Sequence, residues 1–80
     1  MIVTHELAMQ ARCPRDNAID RYTVTVEATR IVPVEDILAA IAALPEPLFQ
    51  EEITVRIAIA IGCKVTPVGY HSGVRTTCVV

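Results

Sequence analysis

Cys13 stands directly before Pro14 and seven residues ahead of Asp20. Pro14 fixes its own φ, lacks a backbone donor and biases its predecessor away from helical backbone, so Cys13 belongs on an extended or turn segment. Arg15, Asp16 and Asn17 read as a polar turn. Asp20 then stands at the entrance of a strand that begins at Tyr22. A thiol on a turn and a carboxylate at the adjoining strand entrance can face one pocket, a layout for attack by the thiolate with a general acid beside it. The competing reading is a small buried thiol and an aspartate that caps a turn.

The elements that must position these groups are legible to different degrees. Residues 1–12 open with the β-leaning run Ile2-Val3-Thr4 and are expected to form a strand leading to Cys13, with His5 and Glu6 solvated near the terminus. From Tyr22 to Val32 the chain alternates, with Tyr22, Val24, Val26 and Ala28 on one face and Thr23, Thr25, Glu27 and Thr29 on the other. That is the pattern of a half-buried strand. Pro33 opens a helix with Glu35 and Asp36 in its first turn, where the helix dipole favours acids. Ile37, Leu38, Ile41 and Leu44 follow at helical spacing, and Pro45 and Pro47 stop the helix.

From Phe49 to Gly62 two readings stay open. Ile53, Val55, Ile57, Ile59 and Ile61 alternate with Thr54, Arg56, Ala58 and Ala60, which is strand periodicity. Glu51 and Glu52 suit a helix N-terminus, the alanines favour helix, and Gly62 is a natural C-cap. Lys64 to Tyr70 and Val74 to Val80 read as two strands joined at His71-Ser72-Gly73, a turn short enough for a hairpin.

Eighty residues make one domain, 1–80. With 52% apolar and 20% charged residues the chain carries more apolar surface than one small core needs. The surplus points to a homo-oligomer. A net charge of −2 without a basic cluster gives no electrostatic footprint for nucleic acid. No apolar run reaches the length of a membrane span, and the start of the chain lacks a signal-peptide pattern. Three cysteines at spacings that match no zinc motif are expected as free thiols in a reducing cytoplasm.

The order strand, strand, helix, helix, strand, strand, with Cys-Pro near the front and Phe49-Gln50-Glu51-Glu52 before the second helix, resembles the tunnelling fold. Members of that fold assemble several subunits into a barrel and bind purines or pterins at subunit interfaces through a glutamate. Within it the chain resembles the QueF family, the nitrile reductases of queuosine biosynthesis. Four stretches carry the likeness: Cys13-Pro14 seven residues before Asp20; Glu35 at the start of the first helix; Phe49, Glu51, Thr54 and Arg56 at the spacing of the substrate-glutamate motif; and Val65-Thr66 with Gly73 through Thr77. The resemblance implies an α+β ββααββ domain, with a four-stranded antiparallel sheet and two helices on one face, and it selects helix for 49–62. It also implies that Cys13 adds to the nitrile of 7-cyano-7-deazaguanine to give a thioimide. Asp20 would supply the proton, and Glu51 would accept hydrogen bonds from the base, with Glu35 and Phe49 as further substrate-binding residues.

The departures from the family are equally informative. The reductases carry a lysine-containing helix motif that serves NADPH, whereas Glu35-Asp36-Ile37-Leu38-Ala39-Ala40 holds no lysine, and Gln50 replaces the histidine beside the substrate glutamate. The only lysine is Lys64. The chain is therefore more similar to the QueF-like amidinotransferases of archaeosine synthesis. There ammonia rather than hydride attacks the thioimide and leaves a formamidine on a tRNA base. That implies no cofactor and no metal, with tRNA or the free base as partner. An oligomer could gather Arg12, Arg15, Arg21 and Arg30 into a basic patch. The alternatives are an NADPH-dependent nitrile reductase, a type IB GTP cyclohydrolase-like enzyme with a metal on Cys13, Glu51 and His71, and a non-catalytic purine-binding oligomer. Cys63 and Cys78 read as packing residues, and His71 as an exposed turn residue.

Overall fold

The computed structural model describes residues 1–80. Its elements are β1 (Val3–Arg12), β2 (Ile19–Ala28), α1 (Val34–Ala42), α2 (Gln50–Ile61), β3 (Lys64–His71) and β4 (Val74–Thr77). The strands form one antiparallel sheet in the order β1-β2-β3-β4.

Side chains of a strand alternate between faces, and here one face of the sheet is the core. Tyr22, Val24, Val26 and Ala28 of β2 are all buried, as the alternation required. The register sets Tyr22, Val24 and Val26 opposite Gly69, Pro67 and Val65 of β3. Ile37 of α1 and Ile53, Ile57 and Ile61 of α2 join these residues in one apolar cluster with Val32 and Leu48, so both helices cover the same face. Each fully buried isoleucine contributes about 1.5–3 kcal/mol by leaving water. The architecture is α+β, ββααββ, as expected.

Several boundaries differ from the sequence reading. β2 covers Ile19–Ala28 rather than Tyr22–Val32, because it pairs along its whole length with β1, from Arg12↔Ile19 to Val3↔Ala28. Asp20 is thereby inside the strand. Leu38 of α1 faces outward, while Ile37 is buried and Ile41 and Leu44 pack against the core. Stretch 50–61 is helical. Ile53, Ile57 and Ile61 recur every four residues on its buried side, and the apparent strand alternation came from Val55 and Ile59, which are exposed. Gly62 ends α2 at φ 64°, a left-handed conformation that glycine adopts without strain. Arg30 donates to the Ile61 carbonyl there, placing a cation at the negative end of the helix dipole.

β4 ends at Thr77 rather than Val80. The pairing nonetheless runs on in the same register, since Cys78 N donates to Pro67 O at 3.2 Å and Val65 N to Val80 O at 2.8 Å. The β3–β4 turn is Ser72-Gly73 alone, with φ 50° and 79°, the two positive values of a type I′ hairpin. His71 is accordingly the last residue of β3. His5 is half-buried on the core side of β1, with Nε2 buried and unpartnered, and not solvated as expected. No helix is long and apolar enough to cross a membrane.

Candidate active site

Three successive strands deliver Cys13, Asp20 and His71 to the same end of the sheet. Ala11 pairs with Asp20 across β1 and β2, so Cys13, two residues beyond Ala11, continues the core-facing alternation past the end of β1. Tyr22 pairs with Gly69 across β2 and β3, and two residues farther along each strand stand Asp20 and His71. The turn between β1 and β2 is held by Cys13 N to Ala18 O at 2.9 Å and Asn17 N to Cys13 O at 2.8 Å, with Asn17 at φ 61°. Asp16 Oδ1 accepts from Ala18 N at 3.0 Å, a side-chain turn of the kind that aspartate favours.

The start of α2 closes this end. Leu48 N donates to Arg12 O at 3.2 Å, tying the segment before α2 to the end of β1. Gln50 Nε2 donates to Pro67 O at 3.0 Å and to Thr76 O at 2.9 Å, bracing the first turn of α2 against β3 and β4. Glu52 Oε1 accepts from Phe49 N at 3.0 Å and so caps the helix. Thr54 Oγ1 donates to Gln50 O at 2.7 Å. With Glu52 committed to the cap, Glu51 is the glutamate that lines the pocket.

The pocket has a volume of about 260 Å³ and is lined by Cys13, Asp20, Tyr22, Phe49, Glu51 and His71, completed by Arg15, Leu48, Gln50 and Thr76. A larger open groove of about 520 Å³, lined among others by Gln10, Arg21, Thr23 and Tyr70, has no thiol, imidazole or carboxylate in its wall. The thiol, imidazole and carboxylates therefore gather in the smaller pocket.

Asp20 is buried at the centre of a polar network. His71 Nδ1 lies 3.0 and 3.1 Å from its two carboxylate oxygens, and Tyr22 Oη donates to Oδ2 at 3.5 Å. His71 Nε2 in turn lies 3.4 Å from Asp16 Oδ2. The hydrogen bond to Asp20, and then its charge, raise the His71 pKa above the ordinary 6.5 against a smaller opposing effect of desolvation. Burial, followed by the charge of Asp20, pushes the Tyr22 phenol up to about 12. The Ala18 N–H bond holds Asp16 below the usual carboxylate value.

Four of the five residues singled out from the sequence, Cys13, Asp20, Phe49 and Glu51, meet at this pocket. Glu35 is exposed in the first turn of α1 and does not line it. Tyr22 and the neighbouring Asp16 went unrecognised, and His71 was expected as an exposed turn residue and, in the metal alternative alone, as a ligand with Cys13 and Glu51. The signal available for His71 was its position at the hairpin end of a strand on the same face as Asp20, which needs the β2–β3 register. The donors close enough to share one ion also differ from the expected set. They are Cys13, Asp16 and His71, all within 4.8 Å of one another, with Glu51 outside the group. Of the arginines considered for a basic patch, Arg30 is occupied at the end of α2, Arg12 donates to Asn17 O at 3.4 Å, and Arg15 lines the pocket.

Neither a scan against protein-family models nor a search of curated proteins finds a match. Solved structures do match. The crystal structure of the archaeosine synthase QueF-Like in the apo form superposes with a TM-score of 0.82 at 21% identity, covering 99% of this chain and 90% of that one. The chain thus has the fold of that synthase, the tunnelling fold that its sequence resembles.

Proposed function

We propose that the protein is a QueF-like amidinotransferase acting on 7-cyano-7-deazaguanine, as free base or in tRNA. The observation that supports this reading is the convergence of Cys13, Asp20 and Glu51 on one pocket roomy enough for a bicyclic base. The Cys13 thiolate adds to the nitrile carbon, forming a C–S bond while the nitrile nitrogen takes a proton by way of Asp20, which receives it from the protonated His71 imidazole bonded to it, and a thioimide results. Ammonia then adds to the same carbon, the C–S bond breaks with return of the thiol, and a formamidine is left. Glu51 accepts from the paired amide and amine N–H groups of the base, so a base lacking them leaves a carboxylate unpaired.

Ammonia is preferred to hydride because α1 offers no cation to a dinucleotide phosphate; its first turn carries Glu35 and Asp36, and its last turn has no basic residue. Arg15 at the pocket suits a phosphate of a tRNA-borne base. Ile19, Phe49, Tyr70 and Val74, all at the pocket end of the sheet, are about half exposed or more, which supports assembly of several copies around the site.

Intact-protein mass after incubation with 7-cyano-7-deazaguanine in the presence of a chelator tests this reading. The expected result is one added ligand mass on wild type and none on Cys13→Ala, with ammonia rather than NADPH discharging the adduct. A folded wild-type protein that forms no adduct refutes it.

A further inference from the structure

We propose that Cys13, Asp16 and His71 form a binding site for a zinc-like divalent cation, and that its occupation silences the nucleophile. The site goes beyond the amidinotransferase reading and does not depend on it; only the silencing presupposes that Cys13 is the nucleophile.

Thiolate, imidazole and carboxylate are the donors that a borderline-soft cation takes, and one donor atom from each of the three residues lies within 4.8 Å of the others. Metal–ligand bonds of about 2.0–2.3 Å in a tetrahedron place donors roughly 3.3–3.8 Å apart. The His71 Nε2 to Asp16 Oδ2 separation of 3.4 Å already has that length. The remaining contraction falls on Asp16, which is exposed on the β1–β2 turn, and on the half-exposed His71 ring.

The tautomer is prepared as well. Asp20 accepts from Nδ1 at 3.0 and 3.1 Å, so in the neutral imidazole the lone pair sits on Nε2, the nitrogen that faces Asp16. A carboxylate behind a histidine ligand is the usual outer partner of such a site, where it fixes ring orientation and raises ligand basicity. Three protein donors leave a fourth position open to the pocket. An ion held there occupies Cys13 Sγ, and a nitrile carbon cannot bond to the same sulfur lone pair, so ion and nitrile compete.

Chelator-stripped full-length protein titrated with cobalt(II), with zinc(II) as competitor, tests the site without any nitrile. One cobalt per chain with a thiolate-to-metal charge-transfer band is expected, displaced by zinc. Cys13→Ala should abolish the band, while Cys63→Ala and Cys78→Ala should leave it intact. Asp16→Asn, whose amide oxygen can still accept from Ala18 N, should weaken binding at least about tenfold, and Asp20→Asn about 10–100-fold through the lost outer partner. Zinc should slow nitrile-adduct formation in proportion to occupancy. A complex without the thiolate band, or an affinity unchanged by Cys13→Ala or Asp16→Asn, overturns the proposal. Metal binding without any nitrile adduct leaves the cation site standing and refutes the amidinotransferase; an adduct without metal binding does the reverse.

Discussion

His71 Nδ1 lies 3.0 Å from Asp20 Oδ1 and 3.1 Å from Oδ2, joining residues 51 positions apart at the ends of two paired strands. The imidazole therefore fixes which way the buried carboxylate faces and sits where a proton can reach it from the pocket.

His71→Gln should slow formation of the Cys13 adduct about 10–100-fold in single-turnover mass measurements made with chelator present. Asp20→Asn should slow it by about 10²–10⁴, the range for a positioned general acid. Equal rates in wild type and His71→Gln would show that the contact is structural only.

The same pair makes stability depend on pH in a defined direction. Folded His71 holds its proton above the ordinary 6.5 through its bond to Asp20, so the folded state binds that proton more tightly than the unfolded chain. The contribution is fully present below about pH 6.5 and is lost as pH rises through the raised value. In chelator-treated protein, the gap in urea midpoint between wild type and His71→Gln should be largest near about pH 6 and shrink on the alkaline side. A gap that widens with pH would contradict the assignment.

Tyr22 should be visible in an alkaline ultraviolet titration as a phenol ionising near pH 12. Tyr22→Phe should remove that phase. Asp20→Asn should lower it, yet leave it above 10, because burial rather than the Asp20 charge is the larger cause.

Gly69 is the partner of Tyr22 across β2 and β3, and the ring lies over it. A Cβ there would stand 2.7 Å from Tyr22 Cε1 and 3.0 Å from Arg21 O. Gly69→Ala should cost about 1–3 kcal/mol in denaturant unfolding as the ring is pushed off its seat. The cost should fall in a Tyr22→Ala background, and strict additivity of the two changes would exclude this contact as its source.

How much of this was legible in the sequence depended on whether the deciding interaction was local. The β2 alternation at Tyr22, Val24, Val26 and Ala28 identified the buried face directly. In α2, period alone misled because Val55 and Ile59 are apolar on the outer side, and only the family likeness selected helix. Glu51 and Glu52 could not be ranked from composition; the bond from Phe49 N to Glu52 separates them. His71 was read as a turn residue, or in the metal alternative as a ligand with Cys13 and Glu51, because its companionship with Asp20 comes from pairing β2 with β3, a register that no local pattern encodes. Asp16 was read as turn punctuation, and it is that as well as the neighbour of His71.

The tight turn from Cys13 to Ala18 has a consequence for the order in which the chain can become competent. A hairpin of this kind closes on a scale of microseconds, so the thiol and Asp20 are local neighbours from an early stage of folding. Glu51 and His71 arrive only once long loops have closed and β3 has zipped against β2, the slower, high-contact-order part of the topology. A thiol-directed reagent would therefore meet Cys13 in the unfolded chain and be shut out by the closed site, where Cys13 is buried, whereas the proposed nitrile capture would need that closed site.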